Sequence, residues 1–149
     1  MLKTLNPLLN AEVLFALRAM GHGDDLIIAD ANFPSDAIAR ETVLGELLRI
    51  DRPAPEAAAA VLSVMPVDTF VEDAAARMEV VGAADDIPQV QAEVQAQLDA
   101  AEGRPRPLVG VERFAFYDRA RRAYAVIQTA EGRPYGCFAF RKGVILAEG

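Results

Sequence analysis

The chain holds one histidine, His22, set between Gly21 and Gly23 and followed by Asp24. A short apolar run, Leu26-Ile27-Ile28-Ala29, then delivers Asp30 to the turn Ala31-Asn32-Phe33-Pro34. Imidazole titrates near neutrality, with an unperturbed pKa of about 6.5, which suits a side chain that must both give and take a proton. The flanking glycines tolerate positive φ and let the ring project from a sharp connection. Gly21 could also be no more than the residue that ends a helix, with His22 solvated beside it. Asp30 admits two readings as well: an anion for a ligand, or the acceptor of an Asx turn ahead of Phe33-Pro34. Extended chain advances about 3.3 Å per residue, so a straight strand between His22 and Asp30 holds their Cα atoms more than about 15 Å apart. A small substrate meets both only if the segment folds back or a neighbouring copy completes the site.

Two further clusters carry polar tips on apolar bodies: Arg113-Phe114-Ala115-Phe116-Tyr117 and Tyr135-Gly136-Cys137. Arginine supplies planar, directional donors and tyrosine a hydroxyl, a combination that holds polyhydroxylated ligands. The same residues also suit a bland role, with Phe114 and Phe116 in the core, Arg113 paired to a surface acid and Tyr135 closing a hairpin. Cys137 lies in an apolar, strand-like run, where a packed thiol is more common than a thiolate paired with His22. There is no glycine-rich phosphate loop and no G-x-S-x-G elbow, so nucleotide cofactors and serine hydrolysis lack their signatures.

The elements that must position these groups follow from pattern. Asn10 caps a helix over 11–20, which Gly21 stops. Residues 26–29 are apolar throughout, as in a strand buried on both faces. Residues 41–50 alternate weakly and could hold a strand. An alanine-rich helix starts at Pro55-Glu56 and runs to about Met65, followed by a short extended piece at 67–71. A strand is expected over 77–81. Ile87, Val90, Val94 and Leu98 recur at helical spacing and predict a helix over 88–102. Beyond the Gly103 to Pro107 connector come an extended piece at 109–113, a short helix at 115–122, and strands at 123–129, 137–141 and 144–146. Helices alternating with short buried strands, some joined too tightly for crossovers, imply a layered α/β/α fold with a mixed sheet, one domain over residues 1–149.

Composition narrows the function. Of 149 residues, 52% are hydrophobic and 25% charged, the balance of a folded globular chain. A net charge of −7 disfavours nucleic acid, although residues 104–149 carry +5 against −12 for the rest. That asymmetry suits opposite halves meeting between subunits, or arginines lining a polar pocket. A single cysteine and a single histidine offer no zinc set and no internal disulfide. No apolar run approaches a membrane span and no signal peptide is evident, so a cytoplasmic protein without membrane or metal is expected.

Taken together, Met1-Leu2-Lys3-Thr4, Gly21-His22-Gly23-Asp24, Asp30-Ala31-Asn32-Phe33-Pro34, Arg113-Phe114-Ala115-Phe116-Tyr117, Tyr135-Gly136 and Lys142-Gly143-Val144 resemble the RbsD/FucU family. Within it the chain is most similar to the L-fucose mutarotases. The resemblance implies a cofactor-independent isomerase that interconverts the α and β anomers of a free monosaccharide, with L-fucose expected first. A mutarotase or pyranase for another sugar such as D-ribose, and a non-catalytic sugar-binding protein, are the alternatives. By the same resemblance His22 is the acid/base, and Asp30, Arg113, Tyr135, Gly136 and Cys137 bind sugar. Tyr117 and Tyr135 both qualify as its proton partner, and Tyr135 is preferred. Family members form rings, commonly decamers of two pentamers, with sites at subunit contacts. Two departures stand out: Cys137 where Tyr-Gly-Asn is usual, and Asn32 where Asp-Ala-His-Phe-Pro is frequent. A thiol is a weak donor beside an amide, so a sugar-hydroxyl contact is lost there.

Overall fold

A computed structural model describes residues 1–148. Its centre is β1 (Asp25–Ala29), a five-residue strand whose last four residues are buried. Both faces of β1 are apolar because both are covered. Leu26 and Ile28 point into one core layer, Ile27 and Ala29 into the other. Around it lie β2 (Leu48–Ile50), β3 (Ala75–Met78), β4 (Val109–Val111), β5 (Ala125–Thr129) and β6 (Phe138–Arg141). They form one six-stranded sheet in the order β2-β5-β1-β6-β3-β4. Five strands run parallel, and β6 alone runs antiparallel, wedged between β1 and β3.

Helices cover both faces, giving the expected α/β/α sandwich. On one face α1 (Ala11–Ala19), α3 (Ala54–Leu62) and α4 (Gln89–Glu102) contribute Val13, Leu17, Val61, Val90, Val94 and Leu98. These pack on Leu26, Ile28, Ile127, Phe138 and Phe140. On the other face α2 (Ser35–Ala39) and α5 (Arg113–Arg121) set Ile38, Phe116 and Ala120 against Ile27, Val126 and Ala139. Alanine dominates the buried face of α3, where Ala54, Ala57, Ala58 and Ala60 admit close approach to α4. Among the described residues no helix is long and apolar enough to cross a membrane.

The expected α1, α3, α4 and β1 appear with boundaries shifted by a few residues, and Asn10 caps α1 by accepting a hydrogen bond from Val13 N. Three expectations change. Residues 67–71 form no strand; Val67 makes only an isolated bridge to Lys142. The strand expected over 77–81 ends at Met78, because Val80 and Ala83 close a turn. Residues 144–146 are irregular, leaving Ile145 and Leu146 exposed. The helix α2 directly after Pro34 was not foreseen from the sequence.

Gly143, just past β6, packs its Cα on the backbone of Val67 and Asp68, and its N–H donates to Pro66 O at 2.8 Å. A Cβ there would stand 2.8 Å from Val67 O and 2.9 Å from Asp68 N. Gly143→Ala is therefore expected to lower stability by about 2 kcal/mol, read as the urea midpoint, because backbone on both sides cannot yield cheaply. An unchanged midpoint would show that the 66–68 segment moves freely.

Candidate active site

The parallel strands β1, β3 and β4 all end at one edge of the sheet, and β6 begins there. Side chains from all four converge on a cavity of about 260 Å³, below the roughly 300–1,000 Å³ typical of drug-sized ligands. Asp30 follows β1, Met78 closes β3, Arg113 follows β4, and Tyr135 and Cys137 lead into β6. Asn32, Phe33, Tyr117 and Pro134 complete the wall. This edge, the carboxyl end of the parallel strands, is where open α/β sheets present ligand sites.

Asp30 is the hub of the cavity and is buried. Its Oδ1 accepts from Asn32 N at 3.0 Å and Phe33 N at 2.9 Å, which is the Asx turn. Its Oδ2 accepts from Gly136 N at 3.1 Å and from the Cys137 thiol at 3.4 Å. The Asx-turn reading of Asp30 holds, and the same carboxylate lines the cavity with Oδ2 already engaged by Gly136 N and the Cys137 thiol. Burial, and then the charge of Asp30, push the Cys137 thiol well above its ordinary pKa, so it stays a neutral donor. Cys137 leads into β6 at the Asp30 end, whereas His22 precedes β1 at the other end, so the two do not pair within the chain.

Tyr135 has φ +61°, a left-handed conformation that costs a side-chain-bearing residue about 1–2 kcal/mol. It is held there from both ends. Gln91 Nε2, fully buried on α4, donates to Tyr135 O at 3.0 Å and to Met78 O at 2.7 Å. Val81 N donates to the Tyr135 hydroxyl at 3.3 Å, which leaves the phenolic proton available to a ligand. Glu112 caps α5 by accepting from Phe114 N and Ala115 N, both at 2.9 Å, and so fixes Arg113 at the first helical position. Those two backbone bonds hold the Glu112 carboxyl below its usual pKa. Arg113 Nε donates to the Tyr117 hydroxyl at 3.2 Å one turn on.

His22 lies elsewhere. It precedes β1 at the opposite edge of the sheet, where Gly23 N donates to Lys142 O at 2.9 Å. Its side chain is 43% exposed, and Nε2 sits 3.2 Å from Oδ1 of Asp68, whose side chain is only 4% exposed. Phe70 meets the ring edge-on at 5.3 Å. Burial raises the Asp68 carboxyl, but the Phe70 N–H and the His22 contact outweigh it, and the net pKa is lowered. An ionised Asp68 only accepts, so the ring nitrogen that faces it, Nε2, is the donor of this contact. His22 is thus a half-exposed imidazole held by a buried anion.

Within one chain, then, Asp30, Arg113, Tyr135, Gly136 and Cys137 come together, while His22 does not join them. The antiparallel register explains why. Asp25 pairs with Arg141 and Ile28 with Phe138, so β1 runs straight from the His22 edge to the Asp30 edge and β6 runs straight back. The segment does not fold back. Asp68, Gln91 and Tyr117 join the site residues beyond those singled out first. Tyr117 was legible as one of two phenols; Asp68 gave no signal because its partner is 46 positions away. Gln91 was hidden as one polar residue on an apolar helix stripe. A larger groove of about 410 Å³ beside α1 is mainly apolar, lined by Leu5, Leu14, Leu17, Val64, Met65 and Ile145; of its two basic residues, Arg18 and Lys142, the Lys142 Nζ is engaged by Leu17 O and Met20 O. Among the described residues no three His, Cys, Asp or Glu side chains group to hold a metal ion.

Comparison with known proteins agrees with this architecture. The model of the RbsD / FucU transport protein family matches residues 3–145. The chain is 40% identical over 147 residues to the fucose mutarotase of Homo sapiens, covering 97% of this chain and 94% of that one. Its structure superposes on protein Atu2016 with a TM-score of 0.96 at 56% identity, over 98% of this chain and 97% of the other. It superposes on the fucose mutarotase of Streptococcus pneumoniae, solved with L-fucose, with a TM-score of 0.86 at 32% identity, over 97% and 100% of the two chains. Four converging strand ends, an acid-backed imidazole at the opposite edge and likeness along nearly the full length have one conclusion: the chain belongs to the RbsD/FucU family.

Proposed function

We propose that this protein is a mutarotase of free monosaccharides, with L-fucose as its first substrate, acting without a cofactor. The observation that carries the reading is the His22–Asp68 pair, an outward-facing base held by a buried carboxylate at 3.2 Å. Its near-full-length similarity to fucose mutarotases supports the choice of sugar. Anomer exchange needs little more than proton management. A base takes the proton of the anomeric hydroxyl while an acid protonates the ring oxygen; the ring opens, the aldehyde carbon rotates, and closure on its other face returns both protons. His22 Nδ1 is the base. Tyr135, whose hydroxyl accepts from Val81 N, is the acid that donates to the ring oxygen. Asp30 and Arg113 hold sugar hydroxyls, and Phe33 with Met78 provides an apolar wall for the methyl group of a 6-deoxy sugar.

The two halves of this machinery meet between copies. Each edge carries exposed apolar groups beside its polar ones: Phe70 and Val71 near His22, Phe114 and Val81 near the cavity. A head-to-tail contact that sets one edge on the other buries both sets, and such a contact generates a ring when its rotation closes. A cytoplasmic ring, the decamer implied by the family resemblance, is the assembly this reading requires.

Three outcomes test it. In saturation-transfer NMR, the protein accelerates exchange between the α and β anomeric protons of L-fucose more than those of D-ribose, and His22→Ala lowers the acceleration about a hundredfold or more. Binding without any acceleration would identify a sugar-binding protein instead. Co-assembling His22→Ala with Tyr135→Phe in equal amounts restores about a quarter of the wild-type rate if sites are shared between copies, and none if each chain owns its site. For Asp68, whose pKa is depressed on folding, the stabilising charge is fully present above its unfolded pKa of about 3.9 and is lost as pH falls through the lower folded value. The wild-type stability margin over Asp68→Asn, measured by urea unfolding, therefore persists near neutrality and shrinks only below about pH 4.

A further inference from the structure

Glu131 is 3% exposed on the loop after β5 and does not line the sugar cavity. A buried carboxylate costs several kcal/mol unless its oxygens are satisfied, so its partners show what it is for. Oε2 accepts from Ala54 N at 3.3 Å, one of the backbone donors that the start of α3 leaves without an intrahelical partner. Oε1 accepts from Arg133 Nε at 2.5 Å and Arg133 N at 3.4 Å. Arg133 reaches on to Glu93 of α4 at 2.7 Å. The carboxylate thus ties the 131–133 turn to two helices that stand behind the sheet.

The remaining atoms of Glu131 point at the cavity residues. Its Cγ lies beneath Gly136, where a Cβ would come within 2.9 Å of it and within 3.3 Å of Asp30 Cβ. Gly136 N in turn donates to Asp30 Oδ2. Glu131 O accepts from Ala31 N at 2.8 Å, and Glu131 N donates to Thr129 Oγ1 at 3.2 Å, whose hydroxyl donates to Ala29 O at 2.8 Å. Both chain neighbours of Asp30 are therefore fastened to this one loop, and Tyr135 sits two residues beyond Arg133.

We propose that Glu131 is the positioning residue of the sugar pocket, fixing from outside the cavity the turn that presents Tyr135 and locks Gly136 onto Asp30. Its effect on activity rests on the mutarotase reading; its effect on the turn rests on the geometry alone. Glu131→Gln keeps the shape but turns an amide N–H₂ toward N–H donors, loosening the turn. The expected result is a KM for L-fucose raised about tenfold, with kcat changed by less than about threefold. The pH profile of kcat keeps its form, because His22 and Asp68 are untouched. Hydrogen–deuterium exchange of the peptide spanning residues 132–137 quickens in the same variant. Arg133→Gln, cut from the partly exposed side, gives the same pattern more weakly and serves if Glu131→Gln does not fold. Wild-type KM and wild-type protection of 132–137 in both variants would overturn the proposal. A wild-type protein that fails to speed anomer exchange would sink the mutarotase reading instead, and exchange at 132–137 would still decide the role of Glu131.

Discussion

The antiparallel pairing of β1 with β6 governs everything else in this molecule. Both strands are buried on two faces, and their register from Asp25–Arg141 to Ile28–Phe138 leaves no room for a bulge. Each strand therefore has one end at the imidazole and the other at the cavity. Gly23 N bonds Lys142 O at the first end, and Asp30 bonds Gly136 N at the second. A rigid spacer of this kind keeps the His22–Asp68 pair and the Asp30 cavity apart inside one chain. It also holds each at a fixed height on its own edge, which is what the proposed contact between copies would need.

At each edge a buried acid does the organising. Asp68 is held by Phe70 N at 3.0 Å and aims the imidazole. Asp30 takes three backbone N–H groups and a thiol. Beneath β1, Asp25 receives a bidentate grip from Arg119 at 2.9 and 3.1 Å and a looser one from Arg141. Arg141 also pairs with Asp73 at 3.1 Å, so the basic C-terminal third finds its acids inside the same chain. The charge asymmetry along the sequence is thus answered in part within the chain by ion pairs across the sheet. Acids held by backbone N–H groups are rigid, since the donors belong to turns and helix starts that cannot rotate away.

How much of this was legible follows from how local each signal is. The helix cap at Asn10, the double-faced apolar β1 and the stripe of α4 are written within a few residues and read correctly, whereas of the two glycines around His22 only Gly23 takes a positive φ, +90°. The Asx turn at Asp30 was legible for the same reason. Asp68 and Gln91 were not, because their meaning depends on partners 46 and 44 positions away. The strand expected at 67–71 failed in an informative way. Val67 touches Lys142 only once, and the residue after it turns inward to meet His22, so a β-favouring composition there serves a side-chain contact instead of a ladder. The strand expected at 144–146 failed because the sheet has already ended, with β3 covering the far side of β6.

Cys137 shows how a departure from the family's habitual residue can leave a site intact. The thiol is 2% exposed and sits in the core layer with Ile27, Ala29 and Ala139. From there it gives Asp30 its weakest hydrogen bond, at 3.4 Å, while Gly136 N gives the stronger one to the same oxygen. An amide at this position would bring two donors and an acceptor to a place where one donor already suffices for Asp30, and the surplus would face the cavity. With a neutral thiol there is no surplus. The polar groups of the cavity are then Asp30, Asn32, Arg113 and the two phenols, with Phe33, Met78 and Pro134 as its apolar lining. If the cavity holds the sugar as proposed above, discrimination falls on hydroxyls that face Arg113 and Tyr135, and the face turned toward Cys137 is read by shape.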